Sequence, residues 1–181
     1  ERKMANLVEE AKIQINSLLA SAQKRACERG ELPEADALSG TVEIPKDTAN
    51  GDFAANHAMT GAKALRMAPR KIADALVANL ELAGSWFTSA EAAGPGFINF
   101  RLGSDWYGDV LAAVQREGED YGRSDALRGQ KVMVEFVSAN PTGPMHMGNA
   151  RGGVLGDTLA EVLSRAGADV WREFYVNDAG N

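Results

Sequence analysis

The apolar positions change period along the chain, and each change marks an element. From Asn6 to Arg29, Leu7, Ala11, Leu18, Ala22 and Ala26 fall near one face with Ile15 beside them. That is the period of an amphipathic helix, and Gly30 ends it. Glu31–Gly40 reads as loop, Thr41–Ile44 as a short strand stopped by Pro45, and Lys46–Asp52 as a turn holding Asp, Asn and Gly. The pattern predicts a helix over Phe53–Met67 and another over Pro69–Leu82, where proline suits the first helical position. Trp86–Ala93 and Phe97–Leu102 read as strands joined by a Gly94-Pro95-Gly96 turn. Ser104 is placed to cap a helix containing Trp106, Val110, Leu111 and Val114. The polar, glycine-containing run Gln115–Gln130 carries no period, which divides the chain into domains at 1–118 and 119–181. No internal repeat or low-complexity tract is visible.

The second part alternates differently. Val132, Val134 and Phe136 share one face of a strand beginning at Lys131; Met133, Glu135 and Val137 share the other. So continuous an apolar run suits a central parallel strand covered on both sides. Ser138 to Pro144 is turn chemistry, with Asn-Pro, Thr-Gly and Gly-Pro pairs. After His146-Met147-Gly148-Asn149 a helical stripe follows: Val154, Leu155, Leu159, Val162 and Leu163, with Gly167 placed as its cap. Asp169–Val176 reads as a second strand. Strand, loop, helix, strand is a βαβ unit, expected to close right-handed with its loop at the carboxyl end of the first strand.

Two features of that unit ask for chemistry. Glu135 is a carboxylate inside an apolar strand, and burying it unpaired costs several kcal/mol, so the site should supply a cation. A guanidinium gives the planar, bidentate match. The loop ending in His146-Met147-Gly148-Asn149 sits at a helix start, where free N–H groups and the helix dipole favour anions, phosphate above all. Gly148 lets a ligand approach the backbone, and His146 and Asn149 can both donate to phosphate oxygens. The alternatives are a solvated strand end for Glu135 and an ordinary loop histidine for His146. The residues alone imply an anion or nucleotide site near a cation-binding carboxylate.

Composition narrows the setting. The chain of 181 residues is 45% hydrophobic and 24% charged, ordinary for a soluble globular protein and enough for one large or two small domains. A net charge of −6 gives no global field for nucleic acid, so any RNA contact must be local. One cysteine, Cys27, excludes an internal disulfide, and two histidines suggest no zinc cluster. No apolar run is long enough for a membrane span and no signal peptide is evident, which fits a reducing cytoplasm. Glu1-Arg2-Lys3 before Met4 reads as a cloning or processing remnant. In the first domain His57 reads as a packed or half-exposed structural histidine. Lys63, Arg66, Arg70 and Lys71 cluster with only Asp74 nearby, either a solvated face or a contact for a phosphate backbone. Phe97 and Asn99 share a strand face and are suited to stack on and hydrogen-bond an unpaired base; the alternative is that Phe97 and Phe100 bracket the strand and pack the core.

The segment EFVSANPTGPMHMGNARGGVLGDTLAEVLSRAGADVWREFYVNDAGN resembles the signature region of arginyl-tRNA synthetases. His146 to Asn149 looks like the HIGH signature of the class I enzymes, within a motif region of Ala139, Asn140, Pro141, Thr142, Gly143, Pro144, Met145, His146, Met147, Gly148 and Asn149. The preceding Glu135 context makes the match more specific than four residues alone. The GDFAAN and GPGFINFRL segments resemble, more loosely, the additional domain that precedes the catalytic core. The resemblance implies a small α+β amino-terminal domain contacting the tRNA D-loop, then the first βαβ unit of a Rossmann-like catalytic domain. It implies arginine held by Glu135 and Asn140 with Ser138 beside them, and ATP bound by His146, Met147, Gly148 and Asn149. His146 and Asn149 would be catalytic, stabilising the phosphate, and Phe97 and Asn99 would touch tRNA. Asn177 and Asp178, ending the second strand near the same edge, would line it.

ATP is the implied co-substrate, with Mg2+ accompanying it and no protein ligand named. The implied partners are tRNA for arginine and L-arginine, with no membrane, in a monomeric cytoplasmic parent. Two departures stand out: Asn149 replaces the second His of HIGH, and Gly143 stands where some members carry Lys. By the same resemblance the remaining catalytic fold, a KMSKS signature and an anticodon-binding domain would follow Asn181. The chain then reads as an amino-terminal piece inactive alone, with a non-catalytic tRNA-binding module as the competing reading.

Overall fold

The computed structural model describes residues 6–177, in two compact units that divide between Arg116 and Glu117. The first unit opens with α1 (Leu7–Glu28). Leu7, Ala11, Ile15, Leu19, Ala22 and Ala26 recur every three or four residues and are buried. The Asn6 side chain caps the helix by accepting from the Glu9 N–H at 3.2 Å. Gly30, at φ +72°, ends it in the left-handed conformation. There follow β1 (Val42–Glu43), a single 3-10 turn over Thr48–Asn50, β2 (Phe53–Ala55), α2 (His57–Leu65), α3 (Pro69–Ala78), β3 (Phe87–Ala93), β4 (Phe97–Leu102) and α4 (Ser104–Glu117).

The four strands form one antiparallel sheet in the order β1-β2-β4-β3. Ile98 and Phe100 of β4 enter the core with Ile15, Leu19, Ile72 and Leu76 from the helices. Phe87 meets Phe53 and Phe100 edge-on at 6.1 and 5.4 Å. Strand alternation turns Phe97, Asn99 and Arg101 to the opposite face.

Phe53–Ala55, expected as the start of a helix, is instead a fully buried strand, and α2 begins only at His57. Tertiary contact overrides local propensity here. Gly51 (φ +86°) lies so close to β4 that an added Cβ would stand 2.7 Å from the Phe100 carbonyl oxygen. The Asp52 N–H donates to that same oxygen at 2.8 Å, and the Asp52 carboxylate accepts from the Leu102 N–H at 2.8 Å. The chain is thus pinned beside β4 before α2 can start. Likewise α3 stops at Ala78, short of the expected Leu82. Asn79 ends it: its amide donates to the Ala75 carbonyl at 2.8 Å and to Glu31 at 2.6 Å, and its carbonyl accepts from Arg25 at 2.9 Å.

His57 is structural, as read. It is 3% exposed and its Nδ1 has no partner among the described residues. Burial lowers its pKa from the usual 6.5. Above pH 6.5 both folded and unfolded chains carry it neutral, so its contribution does not vary. As pH falls from 6.5 toward the depressed native value, the unfolded chain takes up the proton first and stability declines. The melting temperature of the first unit is therefore expected to fall across that window, and His57→Gln to flatten the fall. An equal decline in the variant would refute the assignment.

In the second unit β5 (Lys131–Glu135) pairs in parallel with β6 (Asp169–Glu173), Lys131 beside Asp169 and Glu135 beside Glu173. The crossover is α5 (Met147–Arg165), and Gly167 at φ +97° follows its end as expected. Among the described residues one face of the β5–β6 pair is open, with Met133 and Trp171 exposed. Within the same residues Val154, Leu155, Leu159 and Val162 of α5 are exposed, while Gly156 and Ala160 are buried against the unit. An added Cβ at Gly156 would lie 2.3 Å from Cγ of Phe136, and one at Gly153 would lie 3.0 Å from a Val137 methyl. The helix is turned so that its small residues admit the end of β5.

Candidate functional site

The end of β5 is built to bend. The Phe136 N–H makes a last bond to the Glu173 carbonyl at 3.2 Å, and Val137 then takes φ +61°. A β-branched residue rarely adopts that region, and it costs of order 1–3 kcal/mol. Here it is held by packing on Gly153. The turn continues with the Ala139 N–H donating to the Val137 carbonyl at 2.8 Å and the Thr142 N–H to the Asn140 carbonyl at 2.9 Å.

The loop is tied to the segment after β6. The Ser138 hydroxyl oxygen accepts from the Tyr175 N–H at 2.9 Å, and the Asn140 amide oxygen accepts from the Asn177 amide. Asn140 therefore keeps its own NH2 group for another acceptor. Asn177 lies beside the expected arginine-site residues; β6 itself ends at Glu173, and Asp178 lies outside the described residues. Pro141 to Gly148 form an exposed surface, with Met145 and Met147 open to solvent.

His146 is the N-cap of α5. Its Nδ1 accepts from the Gly148 N–H at 3.1 Å, and the Asn149 amide oxygen accepts in return from the His146 N–H at 3.1 Å. A ring nitrogen that accepts leaves the ring's proton on Nε2, and an amide whose oxygen is engaged presents its NH2. Both side chains are thus left with a donor at the positive end of a 19-residue helix. Gly148 has a part within the chain as well. A Cβ there would stand 2.9 Å from Cε1 of His146, so the glycine makes room for the ring that caps the helix.

Glu135 is exposed and has no partner among the described residues, so within this chain its carboxylate carries no desolvation cost. A second carboxylate that the pattern did not single out, Glu173, stands at the register position beside it. Also unforeseen were Gly156 and Val137. A glycine inside a helical run costs about 1 kcal/mol against alanine, so Gly153 and Gly156 were signals of a close approach.

In the first unit Phe97 and Asn99 line a cavity of about 260 Å³ on the face of the sheet opposite Ile98 and Phe100, with Glu43, Lys46, Asn50, Ala54, Ala93 and Gly94 among its walls. Phe97 is half-buried and Phe100 alone of the pair packs the core. Asn99 is 4% exposed, yet its amide has no partner among the described residues. Its strand neighbours Ala54 and Glu91 leave the space above it open on one side, because alanine does not fill it. The described residues hold no group of three or more His, Cys, Asp or Glu suited to a metal ion, and no helix among them is long and apolar enough to cross a membrane.

Comparison with known proteins gives concordant matches. The family described as "Arginyl tRNA synthetase N terminal domain" matches residues 10–102, and "tRNA synthetases class I (R), catalytic domain" matches residues 111–181. An arginine–tRNA ligase of Acetivibrio thermocellus is 54% identical over 178 residues, covering 98% of this chain and 32% of that protein. The ligase of Ruminiclostridium cellulolyticum is 48% identical with the same coverage. The chain thus spans about a third of the length of these relatives. The fold resembles that of the arginyl-tRNA synthetase of Plasmodium falciparum, with TM-score 0.56 and 20% identity over 94% of this chain and 31% of that one.

Proposed function

The chain belongs to the arginyl-tRNA synthetase family, and from that premise we propose that it supplies the tRNA-contacting domain and the first half of the activation site of an enzyme that attaches L-arginine to its tRNA. In the proposed reaction a carboxylate oxygen of arginine attacks the α-phosphorus of ATP. Pyrophosphate leaves, and arginyl-adenylate remains. A hydroxyl of the terminal tRNA ribose then takes the arginyl group and releases AMP. The proposed setting is the cytoplasm, and magnesium arrives on the nucleotide as part of that substrate.

The observation that carries this reading is the reciprocal cap of His146 and Asn149. It leaves Nε2–H and an amide NH2 as donors beside the α5 N-terminus, where charge develops on the phosphate. Met147 and Gly148 contribute the exposed surface against which the nucleotide would lie. Arginine falls to Glu135, with Asn140 and Ser138 on the loop that the strand feeds. Glu135 and Glu173, side by side in register, form a pair of like charges that a guanidinium would relieve. Phe97 and Asn99 would seat an unpaired tRNA base in the cavity they line.

In a protein extended to the length of the relatives, arginine-dependent exchange of pyrophosphate into ATP is expected. Glu135→Gln keeps the shape and removes the charge. Loss of a charge-assisted hydrogen bond is worth about 1.5–3 kcal/mol, so arginine affinity should fall by roughly one to two orders of magnitude. ATP affinity should stay as it was, and the melting temperature should stay or rise, because Glu135 is exposed, holds no partner in the described structure and stands beside Glu173. Unchanged arginine affinity, or exchange supported equally by another amino acid, would sink the substrate assignment.

A further inference from the structure

The basic cluster at the junction of α2 and α3 has no part in the core. Lys63 lies in the last turn of α2, Arg66 at its left-handed C-cap, and Arg70 and Lys71 in the first turn of α3. All four are exposed. From Phe53 to Ala73 the chain carries these four cations and no acidic residue, within a protein of net charge −6. Lys63, Arg66 and Lys71 have no partner among the described residues. Arg70 pairs with Asp74 at 3.0 Å, an exposed ion pair that holds it weakly.

The cluster adjoins the Phe97–Asn99 cavity. The Arg70 guanidinium reaches the Gly94 carbonyl, at 3.4 Å, and Gly94 is part of the cavity wall. Gly96, in the same turn, lies so near α3 that an added Cβ would stand 2.7 Å from Cβ of Pro69. The first turn of α3 therefore abuts the rim of a cavity that holds an unpartnered, 4% exposed amide beside an aromatic ring. A half-buried ring and an open amide take a base; neighbouring unpaired cations take the phosphates that flank it.

We infer that Lys63, Arg66, Arg70 and Lys71 form a phosphate track that carries the RNA backbone away from the nucleotide seated at Phe97 and Asn99. This rests on the reading of that cavity as an RNA-base site. RNA is favoured over an acidic protein because the cations stand beside an aromatic-and-amide pocket suited to a base. The acidic remainder of the surface would confine the backbone to this strip.

The test is binding of unfractionated tRNA to the 181-residue chain at a series of salt concentrations. Lys63→Gln with Lys71→Gln should weaken binding and reduce the slope of log affinity against log salt by about one per lysine. Phe97→Ala with Asn99→Ala should weaken binding by roughly ten-fold or more while keeping the slope. Circular dichroism confirms that each variant is folded; should the Phe97 and Asn99 pair disturb the fold, Phe97→Leu removes the stacking ring and keeps the bulk. If the lysine pair changes neither affinity nor slope while the cavity variants weaken binding, the track is wrong and the cavity reading stands. If tRNA binds none of the proteins, or all alike, the cavity reading falls and the track falls with it.

Discussion

Gly156→Ala is expected to destabilise the second unit, and Gly152→Ala, four residues earlier on the same helix, to stabilise it. Helix propensity predicts the same gain for both, about 1 kcal/mol. Their surroundings differ. A Cβ at Gly152 would meet nothing within 4 Å. A Cβ at Gly156 would stand 2.3 Å from Cγ and 2.4 Å from Cβ of Phe136. Rotation about Cα–Cβ would move Cγ, but Cβ is fixed by the backbone at the end of β5 and stays in the way. Either α5 lifts from the β5–β6 sheet or Phe136 leaves its place. Overpacking of this kind costs typically 1–3 kcal/mol, and separation of the helix also exposes Ala160, now fully buried. The steric term outweighs the propensity term. In a unit of this size each kcal/mol shifts the melting temperature by about 4–8 °C. Melting can be followed through exchange protection of the β5–β6 ladder amides. Equal shifts in the same direction for both variants would show that α5 does not rest on Phe136 through Gly156.

That pair of glycines shows where the pattern of the chain was and was not informative. Helix α1 was legible because its buried residues repeat every three or four positions and no distant partner is needed to choose the face. The β3–β4 hairpin was legible from Gly94-Pro95-Gly96. Phe53–Ala55 was not. Three residues rich in alanine have no period of their own, and their strand state comes from Phe100 and Leu102, nearly fifty residues away. Hydrophobicity picked out the stripe of α5 that holds Leu155 and passed over Gly156, because it does not report the close approach of Phe136 to that glycine.

The candidate site divides in the same manner. Donor groups at His146 and Asn149 were readable from residue type and position. Their mutual capping was not, since it depends on the ring folding over Gly148. Glu135 was found as a carboxylate at a strand end, but burial was inferred from its neighbours along the chain. Burial depends on what covers the sheet, which the alternation of one strand does not report.

The cap supplies the most separable test of the proposed chemistry. His146 has two jobs on opposite sides of one ring: Nδ1 accepts from the Gly148 N–H and secures α5, and Nε2–H is left to donate to phosphate. His146→Asn separates them. The asparagine oxygen is placed much like Nδ1 and asparagine is among the best N-caps, so α5 should keep its start. The donor at Nε2 is lost, and the shorter side chain does not reach its position. His146→Ala removes both, at a cost of about 1 kcal/mol for the cap. In a protein of the relatives' length, each variant is expected to slow arginine-dependent pyrophosphate exchange by about 10²–10³, the usual effect of removing one donor to a developing oxyanion. Only His146→Ala should lower the melting temperature. The loss should appear in kcat more than in the KM for ATP, because the donor is used most where charge develops in the transition state. If His146→Asn exchanged pyrophosphate at the wild-type rate, His146 would be a helix cap and nothing more. The phosphate would then be held by Asn149 and the backbone N–H groups of α5 without it.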